Sequence, residues 1–122
     1  VGVAGRTILL LAAAYNLAGG LGVLFLLDSI GPLIDFQDSG PALFRLFAGG
    51  TAVLFGIAYI AVSRNYQKNR PLLVYGTALK YWAFAIGALG FSQSWLSIQA
   101  LLAFGAGNLV FAVLFTWLLA RY

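Results

Sequence analysis

The chain has 122 residues, of which 62% are apolar and only 8% are Asp, Glu, Lys or Arg, whereas an ordinary soluble domain is about 25% charged. Seven cationic and three acidic residues cannot give a soluble domain of this size its polar shell. The chain has no Cys, His or Met, which excludes a disulfide framework, a Cys/His metal site and a His- or Met-ligated haem within it.

In lipid a backbone must satisfy its own amides and carbonyls, as apolar helices do or as a closed barrel of alternating strands does. The long apolar stretches here do not alternate, so the expected fold is an all-α, integral membrane, antiparallel four-helix bundle. One domain is expected over residues 1–122, with spans at about 7–27, 42–63, 72–91 and 96–120. The first span rises roughly 31 Å, enough for a hydrocarbon core of about 30 Å. It contains Ala12, Ala13 and Ala14, as a cleavage site would, but Leu17 to Leu27 continues the apolar run. It is therefore expected to stay as a helix.

The connection from Asp28 to Pro41 holds all three acidic residues, Asp28, Asp35 and Asp38. Asp38 or Ser39 is expected to cap the second helix, with Pro41 in its first turn. After the second span comes a loop, RNYQKNRP, carrying Arg64, Lys68 and Arg70, with Pro71 expected to start the third helix. The turn FSQSWL precedes the fourth, with Ser94 or Ser97 as its cap.

Four crossings place both termini on one side. Arg6, the positives after the second span and Arg121 share that side, so it is expected to be the cytoplasmic one. Trp95 and Trp117 flank the fourth span as interfacial anchors would. The formal charge of +4 is thus explained by topology in the cytoplasmic (inner) membrane. Membrane lipids, and no nucleic acid, are the expected surroundings.

The informative residues are polar groups at depth. Asn16, Lys80 and Asn108 all fall near the middle of their spans when counted at 1.5 Å per residue. On the third helix Gly76, Lys80, Ala83, Gly87 and Gly90 share one face. Comparable faces carry Ala12, Asn16, Gly19 and Gly20 on the first helix, and Gly105, Asn108 and Ala112 on the fourth. On the second, Arg45, Ala48, Ala52, Gly56 and Tyr59 line up. Small residues of this kind let membrane helices approach closely, and the faces are expected to converge.

Lys80, Asn16, Asn108, Arg45 and Tyr59 are therefore the candidate ligand-binding residues. Each asparagine either joins helices or faces a ligand. Lys80 either meets an anion, a headgroup or another polar ligand, snorkels to the interface, or handles a proton. Arg45 either pairs with Asp28, Asp35 or Asp38 or offers its fork to a carboxylate or phosphate. Trp82 and Phe84, beside the lysine turn, are expected against lipid or in packing, not in a ligand cage.

No phosphate loop, dinucleotide fingerprint, HExxH or nucleophile elbow is present. No catalytic residue, metal or cofactor is assigned. The expectation is a noncatalytic helical membrane subunit or interaction protein, in a homo-oligomer or larger membrane complex. The alternative is a bundle that binds a small molecule, anion or lipid, or one protomer of an oligomeric transporter. The related segments NLAGG and GNLVF would suit the internal repeats of transporters. An enzyme handling a lipid or quinone comes last.

The stretches RLFAGGTAVLFGIAY (45–59), NRPLLVYG (69–76) and GNLVFAVLF (107–115) resemble those of small bacterial four-helix membrane proteins of the broad DoxX-like type. That resemblance implies a compact bundle and a role in a membrane complex, and it transfers no functional residue.

Overall fold

The structure, a computed structural model, describes residues 1–36 and 42–122. It consists of helices α1 (Val3–Ile34), α2 (Ala42–Arg64), α3 (Tyr66–Ser92) and α4 (Ile98–Arg121), each long and apolar enough to cross a membrane. No strand occurs among the described residues. The caps expected from Asp38 or Ser39, and Pro41, lie outside them.

Helix ends differ from the expected ones where local polar groups prolong them. Helix α1 does not stop before Asp28. It widens into a π turn at Gly22–Leu26, returns to α geometry at Leu27–Ile30 and closes with a 3-10 turn at Gly31–Ile34. Asp35, at φ 52°, ends it by turning its N–H back to the Gly31 and Pro32 carbonyls. The expected RNYQKNRP loop shrinks to the single residue Asn65. Its side chain accepts from the Lys68 N–H and caps α3, as asparagine does well. Asn69 Nδ2 then bridges to the carbonyls of Ala61 and Asn65. Pro71 consequently lies inside α3 and does not start it.

Of the two serines proposed to cap α4, Ser97 does so, accepting from the Ala100 N–H and donating to the Ile34 carbonyl at the end of α1. Ser94 instead takes a left-handed conformation in the turn, at φ 62°.

Helix α1 packs along α2, α2 against α3, α3 along α4, and α4 meets α1. Helices α1 and α2 approach closely at Gly20 and Gly49. A Cβ on Gly20 would lie 2.7 Å from the Gly49 carbonyl oxygen, so backbone is in the way. Gly20→Leu is expected to cost about 1–3 kcal/mol through overpacking, read as a lower midpoint for loss of monodisperse protein on heating in detergent. Gly19 belongs off that face, because a Cβ there meets nothing within 4 Å. Gly19→Leu should leave the midpoint where it is.

The two halves of the molecule are filled differently. Toward Arg64 and Arg121 the interior is solid, built from Leu9, Tyr59, Val62, Leu73, Phe115 and Leu118. The Tyr66 hydroxyl and Arg70 Nη2 donate to the Leu118 and Leu119 carbonyls, supplying partners for the last turn of α4. Arg70 is thus a tie between helices α3 and α4. Outward faces carry large apolar side chains, including Phe25, Phe47, Leu54 and Trp82. Toward Asp28 and Trp95 the helices leave a hollow.

Candidate functional site

Lys80 lies where the solid half meets the hollow one and is only 2% exposed. The small residues along its helix bring neighbours close enough to surround it. Its Nζ donates to Asn16 Oδ1 at 2.7 Å and to Asn108 Oδ1 at 3.0 Å. The rings of Tyr15, Tyr59 and Phe111 stand 5.0, 5.6 and 5.5 Å from the same atom. The lysine therefore does not snorkel.

Both amides are oriented by what their nitrogens do. Asn16 Nδ2 donates to the Ala52 carbonyl of α2, and Asn108 Nδ2 donates to the Phe104 carbonyl one turn back. Each amide oxygen is left to face the lysine. Two oxygens and three aromatic faces converging on one nitrogen form a setting for an ammonium ion. Burying a cation at membrane depth costs about 2.5–3.5 kcal/mol on insertion scales. Each hydrogen bond to a charged group returns about 1.5–3 kcal/mol, so the two amides offset a cost of that order. They supply dipoles and no negative charge. Among the described residues no ion pair involves Lys80.

The surrounding rings are themselves anchored. The Tyr59 hydroxyl donates to the Gly76 carbonyl at 3.4 Å, with the bare Gly76 allowing the ring past: a Cβ there would sit 2.6 Å from Tyr59 Cε1. The Tyr15 hydroxyl donates to the Phe104 carbonyl at 3.4 Å. Phe104 belongs to a second π turn, Leu102–Ala106. Its carbonyl thus gathers Tyr15 and Asn108, fixing two members of the lysine's surroundings at once.

The hollow beside this cluster is a pocket of about 640 Å³, within the range of about 300–1,000 Å³ for small-molecule sites. Its walls are mainly apolar, with Phe44, Ile86, Leu96 and Phe104 among them, and Ala83, Gly87, Gly90 and Gly105 make room. Arg45 and Asn108 are its polar edges. Both π turns border it, through Val23 in one and Phe104 and Gly105 in the other. Such turns concentrate at functional sites.

Of the candidate residues, the fold therefore brings Lys80, Asn16, Asn108 and Tyr59 into one cluster. Arg45 stands apart on the pocket edge, its Nη1 3.3 Å from Asp28 Oδ1. Asp28 is the acidic partner seen for it among the three considered. Asp35 serves as the α1 terminator, and Asp38 lies outside the described residues. Trp82 is largely exposed and takes no part. Sequence reasoning missed Phe111 as a wall of the lysine cluster, although it follows Asn108 by three residues and so shares its face.

Comparison with protein-family models, curated proteins and solved structures found no match for this chain.

Proposed function

We propose that this chain is a multi-pass protein of the cytoplasmic membrane, an antiparallel four-helix bundle with both termini on the cytoplasmic face. It acts there as a noncatalytic binding subunit for a small molecule or lipid drawn from the bilayer. The length and apolar character of all four helices support insertion. So does the separation of charge. Arg64, Lys68, Arg70 and Arg121 gather at the end where α3 begins and α4 finishes, while Asp28 and Asp35 lie at the end of α1. Kinship with small bacterial four-helix proteins belongs to the same proposal.

The observation that carries the binding reading is the pocket of about 640 Å³ with apolar walls and two isolated polar edges. An apolar body with few placed polar groups is what small-molecule sites offer. A chain serving only as a packing subunit gains nothing from that hollow, whose walls could be filled by larger side chains.

The test is to purify the protein in mild detergent, extract it with organic solvent and identify co-purifying molecules by mass spectrometry. Ala83→Phe places a ring in the pocket wall and should reduce the retained ligand at least tenfold at matched protein amount. Equal ligand content in parent and variant, or none in the parent, would count against a binding role.

A further inference from the structure

Lys80 and the pocket share one side chain. Asn108 accepts from the lysine at 3.0 Å and also lines the pocket, so a ligand group touching Asn108 lies one amide away from the ammonium. The two cations near the pocket differ in one respect. Arg45 has Asp28 as an ionic partner, whereas Lys80 is surrounded by neutral amides and aromatic rings. In an apolar medium the field of an uncompensated charge is weakly screened, and the adjoining hollow is where it acts on a bound molecule.

Resting on the binding reading above, we infer that the pocket takes a single-chain anionic amphiphile, its carboxylate at the Asn108 end and its chain along the apolar walls, with Lys80 as the electrostatic selector. A single negative charge matches the single ammonium. The Phe104 carbonyl takes one of the two hydrogens on Asn108 Nδ2; the second serves a carboxylate oxygen. Asn108 is then the contact residue, and Lys80 acts through it.

Asn16 gives a way to test this without touching the pocket. It holds Lys80 from the opposite side, at 2.7 Å, and is not among the pocket-lining residues. Asn16→Asp would give the lysine a counter-charge of nearly the same shape. Equilibrium binding of labelled palmitate and hexadecanol is measured in nanodiscs of phosphatidylcholine, at a pH where palmitate is ionised. The parent should prefer palmitate at least tenfold, and Asn16→Asp should erase that preference while hexadecanol binding stays as it was. If Asn16→Asp fails to fold, Asn108→Asp supplies the charge from the other amide and should also abolish palmitate preference.

Equal binding of the two probes by the parent leaves the pocket standing and overturns the selector. A preference that survives in the folded aspartate variant does the same. So does a preference lost in Arg45→Gln but retained in Asn16→Asp, because the selecting charge would then be the arginine. Failure of both probes to bind the parent overturns this inference, whereas the absence of any co-purifying molecule from the parent removes the binding reading itself.

Discussion

Lys80→Ala is expected to destabilise the bundle by about 2 kcal/mol, because the bonds and packing it strips from the cluster outweigh the roughly 2.5–3.5 kcal/mol returned when no cation has to be buried. The substitution removes the donor from two amide oxygens, and each buried acceptor left without a partner costs about 1–3 kcal/mol. It also opens a void between three aromatic rings, because the side chain is among the largest fully buried ones. The measurement is the thermal midpoint in detergent, followed by size exclusion or tryptophan fluorescence. Propylammonium, which carries the missing methylenes and the charge, should restore part of the lost midpoint. Propanol fills a similar space with one neutral donor and should restore much less. Equal rescue by both would mean that the lysine contributes volume and not charge, and the ammonium setting derived from the amide geometry would be wrong.

How far this cluster was legible in sequence follows from the kind of geometry involved. Depth along a helix depends only on residue count and rise per residue, so Asn16, Lys80 and Asn108 could be placed at one level without a structure. Their faces were legible too, because glycine and alanine at alternating steps of three and four mark the seam on α3. Two kinds of feature were hidden. Capping by Asn65 and bridging by Asn69 turned an apparent basic loop into two helices that meet at a one-residue break, and a run containing Arg64, Lys68, Arg70 and Pro71 carries stronger loop cues than helix cues. The π turns were hidden for a deeper reason. Nothing in GVLFL or LAFGA departs from an ordinary apolar helix in composition, and face assignment by a period of 3.6 assumes that no residue is inserted. Gly19 illustrates a milder limit: beside Gly20 it looks equivalent, yet only Gly20 meets α2.

The second large effect should come from deleting Ala103, an exposed residue within the π turn of α4. Removing one residue would let the turn close to α geometry, and one residue corresponds to a rotation of about 100°. One side of α4 must therefore turn relative to the other. The later part, Gly107–Arg121, is held to α3 and to the core by Phe115, Leu118 and the Tyr66 and Arg70 bonds. The earlier part is held less firmly, by the short segment Ile98–Leu101 with its Ser97 cap and by the long Tyr15 bond and the Phe36 ring contact at Phe104. Rotation should fall on that earlier part, carrying Phe104 and Gly105 out of the pocket wall while Asn108 stays on Lys80. The expected result separates two properties: ligand retention falls at least tenfold, about 1.4 kcal/mol or more of binding free energy, while the thermal midpoint drops less than in Lys80→Ala. The loss that remains reflects the Phe104 carbonyl, which no longer gathers the Tyr15 hydroxyl and Asn108 amide. Unchanged ligand retention would show that the π turn has no part in shaping the pocket. A midpoint as low as that of Lys80→Ala would show that the rotation falls on the later part instead, pulling Asn108 away from the lysine.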